Sequence, residues 1–440
     1  SAPRLAMRQT VIDGNKTGMI ATGFYAAPGE TVTITVPSAL VAKGFLVRIS
    51  GHGDNISGNA DWMRVPFGVQ RSFALDTATV RVASAFGGHI YIDMGGQADG
   101  RSPGLGRQAI TIDGAIAAPM FVLGQTTDRQ WTDSIRNNPA PYAEFVSDRL
   151  AFSVPSSWIR RLDNPTALMQ FWDDVVGFQD WVAGAESVRT GPDRINVDAQ
   201  ISHGLLHAGY PIQGPVSYGS RIVDLAALRA EGDWGWFHEL GHEIQRQSSL
   251  NWGWYDNPWT FDNDVEVTVN IFANAAQERG VTSASNTGGW DWSAKPDIVM
   301  GRAATEVKKT GAPKFEQKDK YPFYYQLADG AWGWQGYRNV MATYVNDARN
   351  NPSNLPKTNQ QEKDQWLIRW SKETGHDMTR YMVGQWGLEV SQQALDAVAA
   401  MRLPSWMPLA IKPQSQQAFS TVPRTFDLAN AGLSLDGVAR

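Results

Sequence analysis

The amino-acid sequence predicts an α+β protein in which an N-terminal antiparallel β-sandwich precedes a mostly α-helical domain. Two observations support this fold class. Short segments that alternate polar and apolar residues, such as 31–36, recur over the first 120 residues between turns rich in Gly and Pro. From about residue 121 onward, as over 162–181, apolar residues instead recur with the period of an amphipathic helix.

Three regions follow from this change of pattern. Residues 1–120 are predicted to form the sandwich, residues 121–403 the helical domain, and residues 404–440 a C-terminal tail that packs on the helical domain. The helix over 162–181 opens with Asp163-Asn164-Pro165, a capping residue followed by proline. Further helices are predicted over 224–229, 234–247, 265–279, 336–345 and 364–373.

Composition narrows the class of protein. The chain has 440 residues, of which 42% are hydrophobic, and its net charge is -5, which argues against nucleic acid as a partner. No apolar run approaches the roughly 18 residues of a membrane-spanning helix. The absence of cysteine excludes thiolate metal sites and is compatible with export. We therefore expect a bacterial protein, secreted or at the cell surface, that acts as a monomer and whose signal peptide is not included here.

The segment His238-Glu239-Leu240-Gly241-His242 carries the strongest chemical signal. Two histidines four residues apart on a helix project from one face, where both imidazoles can bind one metal ion. Glu239 lies beside them, placed to contact a water on that ion. Gly241 weakens a helix, which predicts that another element packs closely against it. The alternative is that both histidines are ordinary surface residues.

A third ligand is expected downstream, where the acidic candidates are Asp256, Asp262, Asp264 and Glu266. We select Glu266, because it opens a predicted helix and a carboxylate on a rigid helix can be aimed at an ion. Asn270 lies one turn further on and is expected to accept the second ring N–H of a ligand histidine. Two imidazoles and one carboxylate are typical of zinc.

This set of residues predicts hydrolysis of a peptide bond. Zinc held by three protein ligands keeps one position open for water and lowers the pKa of that water towards about 7. Glu239 is expected to take the proton and return it to the leaving amine. His207 and Tyr210 are candidates for stabilising the oxyanion. A core or turn role for these two is an equal alternative, because Gly209-Tyr210-Pro211 favours a turn.

With these residues placed, the chain resembles the M60-like peptidases, a group related to viral enhancins that includes bacterial mucin-degrading O-glycopeptidases. The family pattern is HExxH followed by Glu after 8 to 24 residues, and here 23 residues (243–265) precede Glu266. Segments 87–92, 207–212 and 333–338 are also similar. The resemblance implies zinc ligands at His238, His242 and Glu266, a catalytic base at Glu239 and a gluzincin-like helical domain. Glu243 departs from the Asn expected of many relatives.

Several members of this family cleave beside an O-glycosylated Ser or Thr, so the resemblance implies an O-glycosylated, mucin-like protein as substrate. Flat aromatic rings stack on sugars, and the chain has 18 tryptophans. The candidates for glycan contact are Trp252, Trp254 and Trp259 through their rings, and Asn257 and Arg302 through hydrogen bonds. The alternative is that these aromatic residues anchor the loop between the metal helix and Glu266.

Three functions remain open. The first is a secreted zinc endopeptidase that cleaves O-glycosylated proteins next to glycosylated Ser or Thr. The second is a glycan-independent zinc protease of the enhancin or toxin type. The third is a mucin-binding adhesin with a vestigial metal site, which the presence of Glu239 disfavours because a protein that only binds has no use for a catalytic base.

Overall fold

The computed structural model describes residues 2–95, 102–246, 250, 252, 257–280, 315, 319–328 and 332–408. Two candidate glycan contacts, Trp254 and Arg302, lie outside the described residues, as does most of the predicted C-terminal tail, 409–440.

Two antiparallel sheets form the N-terminal part of the fold. Their strands are β1 (Arg8–Asp13), β2 (Met19–Ala26), β3 (Thr31–Thr35), β4 (Leu46–Ile49), β5 (Arg71–Ala74), β6 (Thr79–Ala83), β7 (Gly88–Asp93), β8 (Arg107–Asp113) and β9 (Ile116–Ala117). One sheet has the order β1-β8-β3-β6 and the other β5-β4-β7-β2-β9. This arrangement confirms the predicted fold class.

The alternating pattern of the strands explains why the two sheets pack together. In β3, Val32 and Ile34 are buried, whereas the threonines between and beside them are not. Val32 and Ile34 share one hydrophobic core with Ile90 and Ile92 of β7, which belongs to the other sheet. Each sheet therefore turns one apolar face inward, as the period of two along the sequence requires.

A third sheet follows the sandwich. Its strands are β10 (Met120–Val122), β11 (Tyr142–Val146), β12 (Leu150–Pro155), β13 (Asp193–Asp198) and β14 (Ile212–Pro215), in the order β10-β11-β12-β13-β14. Only β11 and β12 pair in antiparallel fashion. The sequence analysis did not identify this sheet. Its central strands β12 and β13 are buried along nearly their whole length, so they lack the alternation that marks a half-buried strand.

The helices confirm most of the predicted segments to within a few residues. They are α1 (Asp128–Asp133), α2 (Ser156–Ile159), α3 (Pro165–Val182), α4 (Val216–Gly219), α5 (Leu225–Glu231), α6 (Trp234–Arg246), α7 (Val265–Gly280), α8 (Tyr321–Leu327), α9 (Gly333–Asn350), α10 (Asn359–Thr374) and α11 (Gln392–Ala400). Short 3-10 turns occur at Ser38–Leu40, Ile135–Asn137, Ser220–Val223 and Pro352–Asn354, and a π-helical segment at Arg380–Gln385. Among the described residues, we find no helix with the length and apolarity to cross a membrane.

The chain divides into two compact units. The first comprises residues 1–176 and 189–228 and contains all three sheets. The second comprises residues 177–188 and 229–440 and contains the helices from α6 onward. The first unit therefore extends well beyond residue 120 and includes the mixed sheet.

Tryptophan builds the core of the second unit. Trp259, Trp366, Trp370 and Trp386 are all fully buried in one cluster. The first residues of the predicted tail join this core, since the ring of Trp406 lies 5.0 Å from that of Tyr381. Much of the tryptophan content thus serves packing.

A buried ion pair links the sandwich to the mixed sheet within the first unit. The guanidinium of Arg194 on β13 contacts both carboxylate oxygens of Glu144 on β11, at 3.2 and 2.9 Å. It also donates to the carbonyl of Met19 on β2, at 3.0 Å, and Glu144 accepts a hydrogen bond from the hydroxyl of Tyr91 on β7. Both charged side chains are about 1% exposed, so each depends on the other for its hydrogen bonds.

Replacing Arg194 with Met should therefore lower the free energy of unfolding by about 3–5 kcal/mol, because it leaves the Glu144 carboxylate buried without its partner. Chemical denaturation measures this. The matched control is Arg129→Met, which removes an exposed ion pair with Asp133 and should cost less than about 1 kcal/mol. Equal effects of the two substitutions would contradict this account of the first unit.

Candidate metal centre

Helix α6 carries the two histidines of the motif. The Asp233 carboxylate accepts a hydrogen bond from the backbone N–H of Trp236, at 3.2 Å, and so caps the start of the helix. Phe237, Leu240 and Ile244 bury the apolar side of the same helix.

Helix α7 packs against α6 at Gly241. A Cβ atom added at Gly241 would lie 3.0 Å from Cγ2 of Val269 and 3.1 Å from its carbonyl oxygen. A side chain at position 241 would therefore require α7 to yield by a few tenths of an ångström. The close packing predicted from Gly241 is confirmed, and it brings the start of α7 next to the histidines.

The site itself consists of His238 and His242 on α6 and Glu266 on α7. The Nε2 atoms of His238 and His242 lie 3.1 and 3.5 Å from the same carboxylate oxygen of Glu266. One ligand atom from each of the three residues falls within 4.8 Å of the others, and the two rings are nearly perpendicular, at 89°. The Glu266 side chain is 77% exposed, whereas that of His242 is 4% exposed, so the site opens on the carboxylate side.

Hydrogen bonds to the other ring nitrogens fix the orientation of both histidines. Nδ1 of His238 lies 3.0 Å from the side-chain oxygen of Asn270, and Nδ1 of His242 lies 2.6 Å from that of Gln245. Because both partners are amide oxygens, each Nδ1 carries the proton and donates it. When an imidazole is neutral, its Nε2 therefore keeps the lone pair, which is the tautomer that a metal ligand requires.

These amides are themselves held in place. The Asn270 amide donates to the carbonyl of Glu266, at 2.9 Å. The Gln245 amide donates to the carbonyl of Val265, at 2.9 Å, and to the hydroxyl of Thr268, at 2.8 Å. The sequence analysis proposed Asn270 for this role but missed Gln245. Gln245 lies three residues after His242 on the same helix, and this spacing could have identified it as a neighbour of the His242 ring.

Charge at the site matches a cation-binding role. Hydrogen bonds from His238 and His242 hold the pKa of the Glu266 carboxyl well below its usual range, although burial opposes them. Burial alone would lower the pKa of His238, but Glu266 and the neighbouring charge of Glu239 raise it above its ordinary value. Glu239 lies on α6 and is largely buried, 9% exposed. Two imidazole nitrogens and an ionised carboxylate suit zinc in donor type and number.

The other acidic candidates for the third ligand have different partners. Asp264 pairs with the ammonium of Lys320, at 2.5 Å, and Asp262 with that of Lys363, at 2.6 Å. The fourth candidate, Asp256, lies outside the described residues.

His207 and Tyr210 lie in the first unit, and their contacts there are defined. Nε2 of His207 is 3.0 Å from a carboxylate oxygen of Asp54, and the Tyr210 hydroxyl accepts a hydrogen bond from the backbone N–H of Met19, at 2.9 Å. Burial raises the pKa of Tyr210. Their part in oxyanion stabilisation stays a prediction.

Three of the proposed glycan contacts are core residues instead. Trp259 and Asn257 are fully buried, and Trp252 is 5% exposed. The rings of Trp252 and Trp259 pack edge to face, 4.8 Å apart. Side chains with so little accessible surface offer no ring face or polar group to a sugar, so these three residues pack the core instead of contacting a glycan. This matches the alternative given in the sequence analysis, in which the aromatic residues anchor the loop that follows the motif.

Two helices that present two imidazoles and a carboxylate to one point form a candidate metal centre. Residues 114–387 match the family model of peptidase M60, enhancin and enhancin-like proteins, and residues 1–103 match the N-terminal domain of M60-like peptidases. The chain belongs to the peptidase M60, enhancin and enhancin-like family, which confirms the resemblance seen in the sequence.

The chain is also similar to individual curated proteins and solved structures. The chain is 27% identical over 395 residues to TRPM8 channel-associated factor 3 of Rattus norvegicus, across 89% of this chain and 40% of the relative. The chain thus spans about 40% of the length of the curated relatives it matches. Its fold is similar to that of the IMPa metallopeptidase from Pseudomonas aeruginosa, with a TM-score of 0.64 at 17% identity, over 92% of this chain and 52% of that one. For the ZmpB metallopeptidase from Clostridium perfringens the TM-score is 0.63 at 14% identity, over 93% and 80%.

Substituting Gly241 with Ala tests the helix packing. The added Cβ should force α7 away from α6 and lower the free energy of unfolding by about 1–3 kcal/mol, despite the better helix propensity of alanine. The control is Gly384→Ala, because a Cβ there meets nothing within 4 Å. Thermal denaturation of both variants decides the point, and a Gly241→Ala protein as stable as the control would contradict the close approach.

Replacing Gln245 with Leu tests whether its hydrogen bond orients the imidazole of His242. Zinc affinity, measured by competition with a chelator, should fall by about 10- to 100-fold, because the ring of His242 loses the acceptor that fixes its tautomer. A matched substitution, Gln326→Leu, removes a buried glutamine of the same unit that contacts Tyr381 and Trp386 instead of the site. If Gln245→Leu bound zinc as tightly as the unaltered protein, the role of Gln245 would be refuted.

Proposed function

We propose that this protein is a secreted or cell-surface zinc endopeptidase that hydrolyses peptide bonds next to glycosylated Ser or Thr in O-glycosylated, mucin-like proteins. The observation that supports the hydrolytic part is the convergence of His238, His242 and Glu266 on one point, with Glu239 on the same helix as the histidines.

Different residues have different roles in the proposed reaction. His238, His242 and Glu266 would hold the ion, with Asn270 and Gln245 fixing the tautomer of the imidazoles. When bound, zinc supplies Lewis-acid polarisation of the scissile carbonyl and acidifies a water molecule. Glu239 takes the proton of the attacking water and delivers it to the nitrogen of the leaving amine.

Support for a glycosylated substrate comes from proteins of similar fold. The IMPa metallopeptidase has been solved in complex with an O-glycopeptide and with T-antigen, and the M60 catalytic domain of ZmpC from Clostridium perfringens in complex with the sialyl T antigen. The net negative charge of the chain argues against nucleic acid as the partner.

Substituting Glu239 with Gln should reduce peptide cleavage by about 10²- to 10⁴-fold, because the amide cannot accept the proton. Zinc content, measured by elemental analysis, should stay at one ion per chain, since Glu239 is not a ligand. The control is Glu373→Gln, which removes a carboxylate on α10 of the same unit, and it should cleave normally. Retention of full activity by Glu239→Gln would overturn the mechanism.

The glycan requirement is tested with one synthetic Ser/Thr-rich peptide, made with and without a single O-linked GalNAc and analysed by mass spectrometry. We expect cleavage of the glycosylated form alone, next to the modified residue. Cleavage of both forms would instead support a glycan-independent protease. If neither is cut by zinc-loaded protein, a binding role with a vestigial metal site gains support.

A further inference from the structure

A cavity of about 430 Å³ lies within the first unit, and none of the three residues of the candidate metal centre lines it. This volume falls in the range of ligand pockets, about 300–1,000 Å³. The segment 207–213 forms one wall, held by two backbone hydrogen bonds between His207 and Gln213, at 2.9 and 3.1 Å. The polar side chains in its lining are Arg48, Asp54, Gln70, Asp93, His207 and Gln213, with the half-buried Tyr210 beside them.

The charges that line this cavity are paired with one another. Arg48 donates from Nε to a carboxylate oxygen of Asp93, at 2.9 Å, and His207 lies 3.0 Å from Asp54. Burial alone would raise the pKa of Asp54, but hydrogen bonds from His207 and Ser202 outweigh it and lower the pKa to about 2. Asp54 is therefore ionised at neutral pH. Because each carboxylate already faces a cationic or protonatable group, the cavity offers no unbalanced positive charge to an anion.

The two glutamines of the lining provide hydrogen-bonding groups that the fold does not use. Gln213 is 3% exposed, and its side-chain oxygen has no partner among the described residues. Among the residues that the structure describes, the amide nitrogen of Gln70 has only the sulfur of Met19 as a partner, at 3.8 Å. A buried amide oxygen without a partner is destabilising, so a ligand that donated a hydrogen bond to it would gain affinity.

We infer that this cavity binds a neutral polyhydroxylated ligand, a sugar residue, through the amides of Gln213 and Gln70 and the two ion pairs. Paired carboxylate and guanidinium groups donate to and accept from neighbouring hydroxyls, whereas their mutual neutralisation disfavours a charged ligand. An apolar ligand would leave the side-chain oxygen of Gln213 without a hydrogen-bond partner. Every lining residue belongs to the first unit, and none belongs to the metal centre, so the inference does not rest on the proposed peptidase function.

The test is a ligand-observed NMR titration of the whole chain with galactose, N-acetylgalactosamine and the anionic N-acetylneuraminic acid. We expect at least one of the two neutral sugars to bind, and the anion to bind at least fivefold more weakly. Gln213→Leu should weaken the neutral sugar by about three- to tenfold, the loss of one hydrogen bond. The matched control Gln9→Leu, at an exposed position of β1 in the same unit, should bind like the unaltered protein.

Gln70→Leu serves as the second variant in case Gln213→Leu does not fold, and it should weaken binding in the same direction. Sugar affinity unchanged by both substitutions would show that any sugar binds elsewhere and would overturn the inference. The inference would also be overturned if neither of the two neutral sugars bound, or if the anionic sugar bound more tightly than both.

Discussion

The contact between α6 and α7 at Gly241 is the constraint on which the metal centre depends. HExxH supplies two imidazoles one turn apart, but two ligands do not make a closed site. The third ligand stands on another helix, and its distance from the histidines is set by how closely the two backbones approach. With no side chain at position 241, Val269 rests on the backbone of α6, and Glu266 and Asn270 reach the two sides of the His238 ring.

Polar contacts within the same helix pair complete this arrangement. His242 is oriented by Gln245 of its own helix, which is in turn held by Val265 and Thr268 of α7. Both imidazoles are thus tied through an amide to α7, the helix that also bears Glu266. A change in the packing of the helices would therefore move all three ligands and their supporting amides together, so Gly241 is expected to affect metal affinity without being a ligand.

The sequence predicted the parts of this site that depend on local spacing. HExxH on a helix, Glu266 at the start of the next long helix and Asn270 one turn beyond it all follow from the helical period. The mixed sheet was missed because its central strands are buried on both faces and do not alternate. Trp252 and Trp259 were predicted to contact glycan but lie in the core, and the reason for this error is related. Composition shows that a ring is large and apolar, but only tertiary packing decides whether it faces solvent or the core.

The most direct test of the central claim is X-ray absorption at the zinc edge of the zinc-loaded protein, compared with His242→Ala. The account predicts two imidazole nitrogens at about 2.0–2.1 Å and carboxylate oxygen at about 2.0–2.2 Å in the unaltered protein. In the variant it predicts one imidazole or no bound zinc. A spectrum with two imidazoles in His242→Ala, or with none in the unaltered protein, would show that the ion is bound by other residues.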